Sequence, residues 1–270
     1  MNEVNKTLYI PLYGKASVSK KGIIINDSKA EEIWEKEKFP LKGKSKSKWL
    51  TYYMAMRAKV FDGWTKEQLK KHPDAVVLHI GCGMDSRIER TGNTKNLWYD
   101  IDFPEVIQER KKYYNETENY RMFCADASKT EWLSELPKAE DAIVILEGIC
   151  MYLSNEQVAQ LFVALQQQFN SVKLMADFYT VFGAKASKYK NPINDVGATV
   201  TFGLDDPKLL EKNNGIRFIN QGNMTPKELI AELKASERLF FNTVFSKGLT
   251  KKIYLLFEYE ITSLKNWFSK

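Results

Sequence analysis

Residues 75–178 alternate between short apolar runs and helix signals, and this alternation limits the chain to few folds. The runs are AVVLHI (75–80), NLWYDI (96–101), YRMFCA (120–125), DAIVILE (141–147) and VKLMADF (172–178). They are near-continuously apolar, as strands covered on both faces are. Helix signals lie between them. One falls near residues 84–90. Another opens at Pro104 with Glu105 in its first turn. A third runs from Asn155 to Phe169, with Ser154 as its N-cap and Gln157 in the capping-box position. Strand and helix repeating at this spacing predict a doubly wound, mostly parallel sheet, with ligands at the carboxyl ends of its strands.

The flanks have a different texture. Residues 1–70 are predicted to form a helical cap, with helices over 31–38 and 49–64. In the second, Trp49, Tyr53, Met56 and Val60 recur at helical spacing and read as core. Residues 181–224 are rich in Gly, Asn, Pro and Asp and read as a loop-rich insertion, followed by a helix over 226–235. ERLFFNTVF (237–245) and KKIYLLFEYEI (251–261), either side of SKGLT, read as a closing antiparallel pair. The expected organisation is one domain over 1–270: cap 1–70, core 71–180, insertion 181–235 and closing pair 236–270.

Composition narrows the chemistry. No apolar run approaches the roughly 20 residues of a membrane span, and the N-terminus lacks a signal-peptide layout, so the expected location is cytoplasmic. Cys82, Cys124 and Cys150 are odd in number and far apart, which predicts buried free thiols and no metal site. Only His72 and His79 are present, and no HExxH or GxSxG motif occurs. The net charge of +6 is mild. Its basic segment, Lys36–Lys48, lacks an interleaved aromatic platform and reads as a solvated loop, with no nucleic-acid partner expected.

Gly81-Cys82-Gly83 ends the first predicted strand, where glycine lets the backbone approach a ligand. Two nucleotide cofactors suit such a turn. A dinucleotide site wants a third glycine, where Ser86 stands, and Asp85 would repel its diphosphate. S-adenosylmethionine has no phosphate; its ribose diol and ammonium want acids, its carboxylate a cation. Acids recur at the strand ends: Asp100 and Asp102, then Asp126, then Glu147.

VVLHIGCGMDSR, YDIDFPEV, CADA and EGICMYL together resemble the leucine carboxyl methyltransferase family. LYIPLYGKASVSKKGIIINDSKAEEIW, MAMRAKVFD and FGLDDPKLLEKNNGIRFI resemble its bacterial, polyketide-tailoring branch. The resemblance implies a seven-stranded class I methyltransferase sheet using S-adenosyl-L-methionine, with S-adenosyl-L-homocysteine as product. It also implies roles: Arg57 for the cofactor carboxylate, Gly81 and Gly83 for the turn, Asp102 with Asp100 for the ribose, Asp126 with Ala127 for the adenine, and Glu147 for the ammonium. His79 stands where the family commonly has Asn, and Cys82 where it has Ala.

The reaction so implied is methyl transfer to oxygen. A carboxylate acceptor is ionised at neutral pH, whereas a phenol, with a pKa of about 10, gains from a base. Neither histidine is placed as one, which favours a small-molecule carboxylate, with a phenol or a protein C-terminus as alternatives. Tyr152 is the candidate catalytic residue for orienting the acceptor, and Arg217 and Tyr179 are weaker candidates. The cap and the insertion are expected to form the acceptor pocket. Two other readings stand beside this one: a nicotinamide-dependent oxidoreductase, and a non-catalytic protein that binds S-adenosylmethionine.

Overall fold

The computed structural model describes residues 8–37, 39, 41, 43–92, 95–187, 201–243 and 252–264. Three helices come first: α1 (Tyr9–Ser19), α2 (Ser28–Glu37) and α3 (Lys48–Lys71). The alternating core follows: β1 (Val76–Ile80), α4 (Arg87–Thr91), β2 (Trp98–Asp102), α5 (Pro104–Arg110), β3 (Tyr120–Cys124), β4 (Asp141–Leu146), α6 (Asn155–Gln168) and β5 (Ser171–Tyr179). The chain then runs through α7 (Val181–Ser187), β6 (Ile216–Gly222), α8 (Lys227–Ala231), α9 (Ala235–Phe240) and β7 (Tyr254–Thr262).

The seven strands form one sheet in the order β3-β2-β1-β4-β5-β7-β6. β1 to β5 pair in parallel, and β7 lies antiparallel between β5 and β6. Strand order reverses between β1 and β4. Side chains alternate across the pleat. Val77, Ile143 and Ile145 point into a core shared with Tyr53, Met56 and Phe61 of α3. Val76, Leu78, Val144 and Leu146 point to the other face, against Leu161, Phe162 and Leu165 of α6. β1 is buried along its whole length, which accounts for its unbroken apolar sequence. The capping box of α6 is complete: Ser154 Oγ accepts from the Gln157 N–H, and Gln157 Oε1 accepts from the Ser154 N–H.

Several expected elements differ. The closing antiparallel partner of β7 is not 237–245. Residues 235–240 are helical, with Glu237 accepting from Tyr52 at 2.9 Å and pairing with Lys48 at 3.0 Å, while Phe240 stacks on Trp49. These α3 contacts override the β-branched and aromatic composition. Residues 244–251 lie outside the described residues. The partner strand is instead β6, inside the expected loop-rich insertion, whose residues 188–200 also lie outside the described residues. β6 is a largely exposed edge strand, so it carries no apolar run for sequence reading to find. α1 was hidden by Pro11 and Gly14. Gly14 packs so closely on α3 that a Cβ there would meet Met54 Cβ at 3.1 Å. The described part of Lys36–Lys48 is not simply solvated. Lys36, Lys46 and Lys48 lie over the rings of Tyr113, Tyr13 and Trp49, aromatics supplied by tertiary packing. Cys82 and Cys150 are buried, but Cys124 is exposed. Among the described residues, no helix is long and apolar enough to cross a membrane.

Candidate active site

A cavity of about 450 Å³ opens at the carboxyl ends of β1 and β4, where the strand order reverses. Of the residues singled out in the sequence, Arg57, Gly81, Gly83, Asp102, Asp126, Ala127, Glu147 and Tyr152 all line it, and Asp100 does not. α1 and α3 complete the wall from the cap side, with Leu12, Lys15, Met54 and Arg57.

The glycine turn is shaped by need. Gly81 has φ +72° and Gly83 φ +51°, a region disfavoured for residues with a Cβ. A Cβ on Gly81 would lie 2.5 Å from Ile149 Cδ1, so the turn and the loop after β4 touch as closely as glycine allows. The Gly83 N–H donates to Asp102 Oδ2 at 2.8 Å, and the Phe103 N–H donates to Oδ1 at 2.8 Å. Burial raises the Asp102 carboxyl to about 6, against the pull of those two N–H groups. Asp126 faces the cavity beside Ala127, and its Oδ1 accepts from both the N–H and the hydroxyl of Ser128.

Asp100 sits beneath this floor. Its carboxylate takes Trp98 Nε1 at 2.9 Å, Tyr120 OH at 2.6 Å, His79 Nδ1 at 3.0 Å and the Arg110 guanidinium. Burial opposes its charge, but Arg110, His79 and Tyr120 together bring it down to about 2. It is saturated by protein and has no face on the cavity, so the ribose expectation narrows to Asp102. His79 lies between Asp100 and Arg87. Arginine only donates, so Nε2 accepts from Arg87 Nη1 at 3.2 Å and Nδ1–H donates to Asp100. Burial, aided by Arg87, lowers its pKa and keeps it neutral.

A chain of alternating buried charges runs behind the cavity. Lys15 pairs with Asp85, and Asp85 with Arg90 at 2.9 Å. Arg90 then pairs with Asp62 at 2.7 Å, and Asp62 with Arg87 at 2.9 Å. Arg87 pairs with Glu147, Glu147 with Arg57 at 3.0 Å, and Arg57 with Asp177 at 3.0 Å. Burial works against the charge on Glu147, and its two arginines overcome this and hold it below the ordinary range. Arg57 is 4% exposed. Its Nε and Nη1 are engaged, and its Nη2 has no partner among the described residues. Sequence reading missed Lys15 and Asp177. Lys15 lies on the undetected α1. Asp177 was visible as an acid inside an otherwise apolar strand, which is a signal in itself.

The donor set fits S-adenosylmethionine. A cation with a spare N–H, three acids at successive strand ends and a Cβ-free turn converge on one cavity. Asp85 and Asp102 beside the turn are unsuited to a diphosphate.

Comparison with known proteins agrees. Residues 11–166 match the model of the leucine carboxyl methyltransferase family. The chain is 29% identical over 238 residues to the tetracenomycin polyketide synthesis O-methyltransferase TcmP of Streptomyces glaucescens, covering 87% of this chain and 88% of that protein. It is 28% identical over 185 residues to the S-adenosyl-L-methionine-dependent methyltransferase dpfgK of Gibberella zeae, covering 62% of this chain and 61% of that one. Its fold is similar to a putative methyltransferase from Thermobifida fusca, with TM-score 0.56 and 12% identity over 87% of each chain. It is also similar to the magnesium protoporphyrin IX methyltransferase of Synechocystis with bound S-adenosylhomocysteine, with TM-score 0.50 and 11% identity over 96% of this chain and 100% of that one. The chain belongs to the leucine carboxyl methyltransferase family and is an S-adenosylmethionine-dependent O-methyltransferase.

Proposed function

We propose that the enzyme methylates the carboxylate of a small, largely apolar acid. S-adenosylmethionine, when bound, supplies an electrophilic methyl on its sulfonium. In this reading Arg57 and Lys15 receive the cofactor carboxylate, and Glu147 receives the ammonium. Asp102 takes the ribose hydroxyls, and Asp126 with Ala127 takes the adenine. The protein's remaining task is to align the acceptor oxygen and exclude water.

One observation carries the choice of a carboxylate over a phenol: with Asp102 and Asp126 given to the nucleoside, His79, Asp85 and Glu147 on the cavity wall are already committed. Both nitrogens of His79 are bonded, and its pKa is lowered by burial. Asp85 and Glu147 are ion-paired and held below their ordinary range, which makes them weak bases. A carboxylate arrives ionised and needs no base; a phenol does. Leu8, Ile10, Leu50 and Met54 of the cap, with Met151 and Tyr254, give the cavity an apolar lining suited to the body of such an acid. Tyr152 also lines the wall, and in this reading its hydroxyl orients the acceptor. The three free cysteines, one of them exposed, suit the reducing cytoplasm.

The test is a methyl-transfer screen of matched pairs, each an apolar carboxylic acid and the phenol of the same skeleton, with the products treated with mild alkali. Alkali-labile methyl esters are expected. Alkali-stable ethers from the phenols alone would refute the reading, as would transfer only to a peptide C-terminus.

A further inference from the structure

Asp177 lies on β5, its side chain 0% exposed, and it does not line the cavity. It accepts from two groups that do: Arg57 Nη1 at 3.0 Å and the Gly148 N–H at 2.5 Å. Burial pushes its carboxyl up, so the fold keeps an acid here against a desolvation cost. No ligand can reach it. Whatever it does for the site, it does through Arg57 and Gly148.

The guanidinium is a rigid planar fork. Glu147 takes its Nε and Asp177 its Nη1. The fork then lies flat across Gly148, where φ is +75° and a Cβ would meet Nη2 at 3.1 Å. Remove Asp177, and the geometry favoured by an arginine beside one carboxylate is the bidentate one. Nε and Nη2 would both close on Glu147, whose Oε2 already accepts from Arg87, and the spare donor would be consumed.

We propose that Asp177 is a positioning residue: by holding Nη1 and the Gly148 N–H at once, it sets Arg57 so that Nη2 stays open to the cofactor carboxylate. The proposal rests on the reading that Arg57 meets the cofactor carboxylate.

The experiment is calorimetric titration of the full chain with S-adenosylmethionine and, separately, adenosine, which lacks the amino-acid part. Proteins compared are wild type, Asp177→Asn, Arg57→Ala and the double variant. Asp177→Asn is expected to weaken S-adenosylmethionine about tenfold or more, the scale of one charge-assisted hydrogen bond. Adenosine affinity should change by less than about twofold, which also reports a folded pocket. The double variant should bind no more weakly than Arg57→Ala. An Asp177 that merely supports the fold would lower the melting temperature and leave the ratio of the two affinities at its wild-type value; that result overturns the proposal. Should Asp177→Asn not fold, Asp177→Glu keeps the buried charge and displaces the acceptor, with the same selective loss expected and an unchanged ratio overturning. Selective loss in Arg57→Ala but not in the Asp177 variants refutes only the positioning role. Equal losses for both ligands in Arg57→Ala remove the underlying reading and the proposal with it.

Discussion

Lowering the pH from 7 to 5 should weaken nucleoside binding about tenfold, through Asp102 alone. Its carboxyl rises from 3.8 to about 6 because burial penalises the charged form. Ribose hydroxyls donate to a carboxylate and favour its ionised state, so binding draws the group back toward its ordinary range. The sign follows. Below about 6 the free protein holds a proton that the complex must release. Each further pH unit then lowers affinity close to tenfold, until the complex itself is protonated. The shift of about two units caps the effect near 100-fold, reached around pH 4. The folded apo protein shows the opposite slope. It binds more protons than the unfolded chain between about 4 and 6, so this group's contribution is greatest below that window and is lost as pH rises through about 6. Asp85 and Glu147, also on the wall, do not interfere, since both are held below their ordinary values by their cations. The assay is calorimetric titration with adenosine and with S-adenosylmethionine at pH 5, 6, 7 and 8, in two buffers of different ionisation enthalpy. Both ligands carry the ribose, so both should show the slope and release close to one proton per site at pH 5. Asp102→Asn should bind weakly and with no slope over this range. A flat wild-type profile, or a slope that survives in Asp102→Asn, would refute the ribose assignment.

Two further substitutions separate site from support. Asp100→Asn leaves Arg110 buried without its counter-charge and should cost about 3–5 kcal/mol in urea denaturation, with adenosine affinity within about twofold of wild type in the folded protein; a large affinity loss at unchanged stability would return Asp100 to the ligand set. Gly81→Ala meets both a left-handed φ, worth about 1–2 kcal/mol, and Ile149 Cδ1 at 2.5 Å; S-adenosylmethionine affinity should fall at least about tenfold and recover in part with Ile149→Ala, while wild-type affinity in Gly81→Ala would show that the turn does not need its glycine.

The legible parts of the molecule were those where one local rule dominates. Strands buried on both faces need unbroken apolar runs, so β1, β2, β4 and β5 could be read within a residue or two of their ends. The acids at their carboxyl ends then fell on one cavity by topology. Asp100 and Asp102 show the limit of that logic. Two residues apart on a strand, they share a face, but Asp102 ends β2 at the cavity while Asp100 lies a pleat deeper among His79, Trp98, Tyr120 and Arg110. Only coordinates place those four together. Elsewhere the deciding contacts are tertiary. ERLFF carries strand-forming residues, yet Lys48, Trp49 and Tyr52 of α3 hold it as a helix. IRFINQG is too polar to announce a strand, because as an edge it buries little.

The buried ion pairs tie the cap to the glycine turn, to α4 and to the end of β4. Buried pairs break even at best against well-packed apolar residues, so an unbroken alternation from Lys15 to Asp177 is weak evidence of stabilisation. Its placement is more informative. Lys15 comes from α1, Arg57 and Asp62 from α3, and Asp27 from the residue before α2. Each is tied to a group on the glycine turn, on α4 or after β4. Ser86, just before α4, donates to Asp27 at 2.5 Å and is joined there by Arg90. Alternation lets Asp62, Asp85 and Glu147 keep their charge in a desolvated wall, each held below its ordinary range by its cations. A ligand bearing an ammonium and a carboxylate at once then meets both signs already fixed in place, with little reorganisation left to its binding. On the cavity wall itself the cations of that arrangement, Lys15 and Arg57, come from the cap helices α1 and α3, while the strand ends present the acids Asp102, Asp126 and Glu147.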